Sequence, residues 1–536
     1  MKLLNYLQIV ILMFTSWIAL CQEKEFIAGI LLDSSTNNPI VFATVQIKNQ
    51  NNGVITNMDG SFKIPISYVT DSTVFLVSCI GYKTIEVTRS QLQLKQTNLI
   101  YMDIEAIDLD NVTLFAEKRK KMSAKRIVKK SIESVSNNYD NNQFSLLSYY
   151  REYQEENGEY VNLSEASMEI IDKGFDKIDL LNTKVKIYDR QIVEEFRIDT
   201  TARLPYDYQT GKKTIDRAFL DGYGGNEFII LRIHDPIRNY NINSFDFVNK
   251  LESDFVRNHS FSILGTQLLG NEPMYIIGFK RNHIDYSVDG KLHVSKIDYA
   301  IHKFEYTLNK KSPNTSSSQD YSSDEINRPV FKTVTEYRRV GDKMYLNYSS
   351  FQNSFTIQVP GNFRTEEIAI LPNQKSIRIR FSDFPSKEKA AKKNSYLIKL
   401  GSKKIKIKSV QVQGRVVLLY PDIEKETLLS AIPQLEGQNF NEDGVTGQLE
   451  IKINNVTNED GKVLDENVTK TLYRFRELFV HKVILESSND IDGPFMDGER
   501  PIFGPQPLAV PKPETEMWMN TPVKKLRLSN QSIRKP

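Results

Sequence analysis

The chain has 536 residues, with 70 Lys and Arg against 67 Asp and Glu, a formal net charge of +3, and two cysteines. That length allows roughly two to four domains, each large enough to bury its own core. The near-neutral charge gives no global attraction to nucleic acid, and so few cysteines exclude an intramolecular disulfide framework once a leader carrying one of them is removed.

Residues 1–21 read as a secretory signal. Lys2 supplies a positive start, and Leu7 to Leu20 form an apolar stretch too short for a permanent span. Ala19-Leu20-Cys21 sets small residues at the cleavage-determining positions and makes Gln22 the mature N-terminus. Lipidation of Cys21 and an uncleaved anchor are the competing fates; Leu20 is large for the position before a lipidated cysteine. No later stretch is long and apolar enough for a transmembrane helix. A transmembrane β-barrel has a weaker signal per strand, but the chain ends Ile533-Arg534-Lys535-Pro536 rather than on an aromatic strand.

Residues 22–115 form the first module. Phe42-Ala43-Thr44-Val45-Gln46-Ile47 alternates as a half-buried strand, Asn51-Asn52-Gly53 and Met58-Asp59-Gly60 are turn signals, and Pro65 puts Phe62 to Ile66 at a sheet edge. Gly81 fits a bend. Cys79 sits in the apolar run Val74 to Ile80, where burial raises a thiol pKa, so an inert thiol is expected. Strands about ten residues apart imply a small β-sandwich. These residues resemble the carboxypeptidase-like regulatory domain, a prealbumin-like sandwich of exported Bacteroidota proteins. The resemblance rests on Gly29, Asp33, Pro39 to Val45, Thr56-Asn57-Met58-Asp59-Gly60-Ser61-Phe62, Ile80-Gly81-Tyr82 and the exit segment Ile107 to Val112. It implies an accessory, non-catalytic module. The same module precedes TonB-dependent receptors, but no plug-like sequence follows it here.

Residues 116–385 form a larger body. Ser123 caps a basic helix whose Ile127, Val128, Ile132 and Val135 share a face, with Lys118 to Lys121, Lys125, Arg126, Lys129 and Lys130 around them. A solvated helix packed on a sheet is expected, with contact to anionic lipid or a partner as the functional alternative. Strands are expected at 144–153, 159–171, 184–196, 261–268, 274–281, 292–297, 301–308, 331–340 and 343–355, with a helical or loop insertion at 199–258. The hairpins of 261–308 resemble the lipoprotein-carrier fold, which implies a concave apolar surface for a lipid chain or a partner strand. Ser312 to Ser323 reads as a polar loop. Residues 386–491 read as a mixed α/β region, entered by a Lys-rich linker. It holds strands at 405–419 and 447–456, a short helix at 422–432, and a helix at 468–484 from the spacing of Leu472, Phe475, Phe479 and Val483. The Pro-rich tail, 492–536, is expected to be extended. The fold class is therefore mainly β: a prealbumin-like sandwich, then an antiparallel β body with a few packing helices.

One constellation tests for catalysis. His302-Lys303-Phe304-Glu305 matches an H-x-x-E zinc spacing, but residues three apart on a regular strand face opposite sides, and convergence needs a bulge. His293 and His302 facing each other across a hairpin lack a third ligand, so both are expected to be solvent-facing strand residues. No nucleophile elbow, P-loop, H-E-x-x-H or EF-hand appears. The expectation is a non-enzymatic exported envelope protein, periplasmic or outer-membrane associated, whose sandwich serves tethering or docking. The alternative is a periplasmic carrier or assembly factor for an acyl chain or an outer-membrane protein; a zinc carboxypeptidase-like hydrolase is more distant. No catalytic residue, metal site or cofactor is assigned; the expected partner is an envelope protein or lipid, not nucleic acid.

Overall fold

The computed structural model describes residues 25–50, 52–105, 122–156, 158–178, 182–215, 224–238, 253–269, 272–311, 329–427, 449–485, 493–510, 517–522 and 528–533. The signal segment, the 312–323 loop, the exit segment 107–112, Lys118 to Lys121 and most of the expected 422–432 helix lie outside these residues; 425–427 are helical.

Seven short strands build the N-terminal sandwich: β1 (Phe26–Asp33), β2 (Thr44–Ile47), β3 (Gly53–Ile55), β4 (Ser61–Pro65), β5 (Val74–Ser78), β6 (Ile85–Thr88) and β7 (Thr97–Met102). One sheet runs β7-β1-β4 and the other β3-β2-β5-β6. Strand β1 pairs antiparallel with β4 and parallel with β7. The position of β4 at a sheet end matches the edge expected from Pro65. Inward residues such as Ile27, Leu31, Val45, Phe62, Phe75, Val77, Val87 and Ile100 alternate along these strands and fill the space between the sheets. Gly60 turns into β4 at φ +74°, with the Leu31 carbonyl 2.7 Å from where a Cβ would sit, so the turn requires glycine.

Helix α1 (Ala124–Glu133) starts at Ser123, whose Oγ accepts from the Arg126 N–H, and α2 (Val135–Asn138) follows. Ile127 and Val128 are buried while Lys125, Arg126 and Lys129 are exposed. Next come β8 (Phe144–Glu156), β9 (Glu159–Asp172), β10 (Lys184–Ile192), α3 (Thr200–Arg203), β11 (Lys213–Thr214), α4 (Glu227–Ile233) and α5 (Ser253–Asn258). Strands β12 (Ser260–Leu269), β13 (Glu272–Asn282), β14 (Tyr286–Ser295), β15 (Ile301–Lys310), β16 (Pro329–Val340) and β17 (Lys343–Pro360) complete the long hairpins. The region 356–471 holds β18 (Thr365–Leu371), β19 (Ser376–Phe381), α6 (Lys387–Ala390), β20 (Tyr396–Leu400), β21 (Lys403–Ile405), β22 (Ile407–Gln413), β23 (Val416–Pro421), β24 (Leu449–Ile453) and the start of β25 (Asn467–Ile484). Strand β26 (Leu528–Ile533) closes the chain.

The chain divides into two compact units. The first takes the residues up to Tyr206, 215–355 and 472 onward; the second takes 207–214 and 356–471. In the first unit the main sheet runs β10-β9-β8-β25-β17-β16-β15-β14-β13-β12, and the sandwich belongs to the same unit. The second unit has sheets β18-β19-β23-β22 and β21-β20-β24 around Phe363, Ile377, Ile379, Phe381, Ile398, Val417, Leu419 and Ile451. Its longer segment, 356–471, starts thirty residues before the 386 boundary read from the sequence, because β18 and β19 pair with β23 rather than with the main sheet.

Residues 468–484 correct the sequence reading: they are the strand β25, not a helix. Inserted between β8 and β17, β25 is buried on both faces over its C-terminal half, which erases the alternation that marks a half-buried strand. The register also shifts between Val480 and Lys482, so the apolar positions drift toward a helical spacing.

The main sheet has two distinct faces. On one, Tyr149, Phe479, Tyr348 and Val334 pack against Phe42 and Ile55 of the sandwich. On the other, rings run across the strands: Phe351 on Phe331 at 5.4 Å, Phe331 on Tyr306 at 5.9 Å, and Tyr306 near Phe279 at 5.9 Å. Helices cover this second face, with Phe228 of α4 against Tyr150, His234 against Phe351 and Phe255 of α5 against Phe279.

Candidate functional site at the seam of sandwich and sheet

The seam is held by buried polar groups. Arg151 of β8 donates through Nε to Glu477 of β25 and through Nη1 to Asn57, inside the turn motif on which the family resemblance rests. The side chains of Arg151 and Glu477 are fully buried. Tyr348 donates to the other Glu477 oxygen at 3.1 Å, and the guanidinium lies 4.8 Å from the Phe479 ring. Burial opposes the Arg151 charge, but Glu477 and the surrounding tyrosines hold its pKa above the ordinary arginine value. Phe42, at φ +61°, stacks on Tyr348 at 4.8 Å. A bulky side chain in the left-handed region costs about 1–3 kcal/mol, and it persists here because Thr56 holds the neighbouring backbone through Ala43 N at 2.9 Å and the Ile40 carbonyl at 2.8 Å.

The tail enters the same seam. Trp518 is buried in the sandwich core and donates through Nε1 to the Lys63 carbonyl at 2.8 Å. Asn520 accepts from the Lys63 N–H at 2.8 Å and donates to the Ile55 carbonyl at 2.9 Å. Thr521 donates to Glu165 of β9 at 2.7 Å, and β26 adds parallel to the β7 edge.

His481, the residue at the β25 register shift, stands between sandwich, sheet and tail. Its Nδ1 is 3.0 Å from the Gly53 carbonyl and its Nε2 is 3.1 Å from the Trp518 carbonyl. A neutral imidazole donates to only one of them. Burial nonetheless outweighs the two carbonyls and pushes the pKa down to about 4. Burial also pushes His234 and His259 down to about 4 and His293 to about 3. Each folded pKa lies below the unfolded value, so the folded state binds fewer protons. This contribution to stability is present above about pH 6.5 and is lost as pH falls through about 4. For His481 alone it amounts to about 3 kcal/mol. The urea midpoint is expected to drop between about pH 7.5 and about pH 4.5, and by less in His481→Gln. Equal midpoints at the two pH values would refute this.

Beside the seam lies a cavity of about 240 Å³, walled by Thr44, Ser78, Cys79 and Ile80 of the sandwich and by Glu272, His302, Arg338, Arg339 and Asn347 of the sheet, among others. Cys79 is half-buried, and burial pushes its thiol up to about 12. The histidines correct a second expectation: His293 and His302 are each only 4% exposed, not solvent-facing. Nor do they face each other. His293 pairs with Lys303, Val294 pairs with Ile301, and His302 is the extra residue of a bulge. His302 Nε2 lies 3.3 Å from Glu272, whereas Glu305 is held by Lys303 at 3.1 Å, so the two residues of the H-x-x-E spacing have different partners. Among the described residues no group of three or more His, Cys, Asp and Glu is placed to hold a metal ion.

A second hollow of about 350 Å³ opens on the main sheet, lined by residues including Phe261, Leu264, Gly278, Lys280, Lys291 and Lys332. It adjoins β12, which among the described residues pairs only with β13. Ile263, Leu264 and Leu268 of β12 are 45%, 40% and 53% exposed. Lys280 lies 3.6 Å from Asp289, while Lys291 and Lys332 make no ion pair within the described residues.

Arg151, Glu477, His481, Trp518 and Asn520 carry the seam, and none was singled out from the sequence. The one signal available was a tryptophan, one of two in the chain, inside a proline-rich tail.

No helix among the described residues is long and apolar enough to cross a membrane. No curated protein matches the chain. Solved structures similar to part of it include a LolA superfamily protein from Nitrosomonas europaea, 10% identical with a TM-score of 0.18, the match covering 43% of this chain and 86% of that one. A DUF1329 family protein from Desulfovibrio piger is 10% identical with a TM-score of 0.19 over 43% of this chain and 85% of its own. A domain described as an outer membrane lipoprotein-sorting protein from Vibrio parahaemolyticus is 9% identical, with a TM-score of 0.19 over 42% and 85%. Residues 27–114 match the family model of the CarboxypepD_reg-like domain.

Proposed function

We propose that this is a non-enzymatic, exported envelope protein that binds an extended segment of a partner along the edge of its main sheet. The observation that carries the reading is β12. It is a ten-residue strand that, among the described residues, hydrogen-bonds to β13 alone, and it exposes Ile263, Leu264 and Leu268. Such an edge is a template for a further strand, with main-chain hydrogen bonds giving affinity and side-chain contacts giving choice. The hollow that reaches β12 is lined by Lys291 of β14 and Lys332 of β16, which favours a partner segment carrying acidic as well as apolar residues. The sandwich, in this reading, is a fixed cap rather than a mobile tether. Its Asn57 and Gly53 are tied into the sheet, and β26 takes its β7 edge.

The test is a photo-crosslinker placed at Leu268, with one at Glu424 as control. A single envelope protein should be captured at Leu268 only, and the purified pair should bind. Ile263→Lys with Leu268→Lys should weaken that binding about tenfold or more without lowering the melting temperature. Equal capture at both positions, or binding indifferent to the lysines, sinks the reading. The carrier alternative rests on the ring row of Phe279, Tyr306, Phe331 and Phe351, an apolar face wide enough for an acyl chain if the covering helices move. Lipid extraction of the native protein followed by mass spectrometry decides it: no copurifying lipid and no uptake of acyl probes removes that alternative.

A further inference from the structure

The 240 Å³ cavity contains a charge without a counter-charge. Every other charged group on its wall is matched. Glu272 is engaged by Arg339 at 3.0 Å and by His302 at 3.3 Å, and Glu336 by Lys303 at 2.8 Å. Arg339 also reaches Asp298 at 2.8 Å. Among the described residues Arg338 has no carboxylate partner. Its Nη2 donates to the His481 carbonyl at 3.3 Å, and its Nε has no partner. Burial alone acts on this guanidinium and pushes it down to about 10, with no acid offsetting the loss of water. A desolvated cation left without a counter-charge is costly, and a guanidinium presents a planar fork of donors that matches a carboxylate.

We infer that the cavity is a binding site for a small carboxylate with a short apolar tail, held head-first by Arg338. The space equals the liquid volume of about eight waters, enough for a short-chain acid and too small for a long acyl chain. The tail would lie against Phe42, Ile80 and Leu269, which line the same cavity. The strained Phe42 backbone fits this role: its side chain forms part of the wall and is fixed there by Tyr348. The cavity touches the edge strand only at Leu269, and Arg338, which would hold the ligand, lies on β16, so failure of the edge-strand reading leaves this site standing.

Cys79 on the cavity wall supplies the readout. In the full-length protein, hexanoate should slow maleimide labelling of Cys79 in a saturable way. Hexanol, which keeps the tail without the charge, and sulfate, which keeps the charge without the tail, should each protect about tenfold less well. Arg338→Gln should abolish protection by hexanoate while labelling at the unliganded wild-type rate. If that variant labels faster because it has opened, Arg338→Lys replaces it; the single ammonium cannot form the paired contact, so protection should weaken about tenfold. Absence of protection by hexanoate, protection by hexanol equal to that by hexanoate, protection by sulfate equal to that by hexanoate, or undiminished protection in Arg338→Lys would each overturn the assignment.

Discussion

Trp518→Ala is expected to destabilise the first unit by about 3–5 kcal/mol, the range for removing a large aromatic from a packed core. The ring is 5% exposed and lies 5.2 Å from Tyr68 and 4.2 Å from His481, so nothing nearby can collapse into its place without breaking the seam. The substitution also frees the Lys63 carbonyl from its 2.8 Å bond. Trp518→Phe separates the two effects: it keeps most of the ring and loses the N–H, for a cost of about 1 kcal/mol beyond the small volume change. Chemical denaturation followed by circular dichroism gives both numbers. A Trp518→Ala loss below about 1 kcal/mol would mean that the tail rests on the sandwich without completing it.

The second large effect is expected at Arg151 and Glu477. Removing one member of a buried pair leaves the other charge uncompensated, at about 3–5 kcal/mol. Glu477→Gln should therefore be strongly destabilising, even though the amide keeps the shape and can still accept from Tyr348. Arg151→Met should cost about as much, since it strands Glu477 and leaves Asn57 Oδ1 with the Asn520 amide, at 3.2 Å, as its remaining donor. The double variant Arg151→Met/Glu477→Leu removes both charges and should recover at least half of either single loss, because apolar replacement of a buried pair is often neutral. A double-mutant cycle reads this directly. Additive losses, with no coupling, would show that the two side chains act independently.

The sandwich was legible because each strand is short, half-buried and closed by a residue with a local reason to turn, such as Gly60 or Gly81. Strand β15 alternates in the same way, whereas β8 and β9, buried nearly throughout, were legible from the turn between them at 156–158, and Ser123 marked its helix. The legible features are those encoded within about ten residues. Strand β25 was not among them, since burial on both faces leaves no alternation to read. The bulge at His302 was foreseen only as a condition, and it appears in the register but without bringing Glu305 to the same partner. The seam was illegible in principle: Arg151 and Glu477 are 326 positions apart, and their pairing follows from strand order, which no local pattern carries. The basic helix read correctly as an amphipathic packing element, with its cations outward.

The tail that fills the sandwich has a consequence in time. Lys63 meets Trp518 across 455 positions, so the sandwich is synthesised long before the residue that fills its core. Until then, strands β3 and β4 keep an unfilled apolar slot, and the β7 edge lacks β26. Closing so long a loop costs entropy that local strand pairing cannot recover early, and an open sheet edge is where chains aggregate. The sandwich is therefore expected to complete its core only after the segment carrying Trp518 and β26 has docked. A chain interrupted before Trp518 would lack the residue that fills the core of its sandwich.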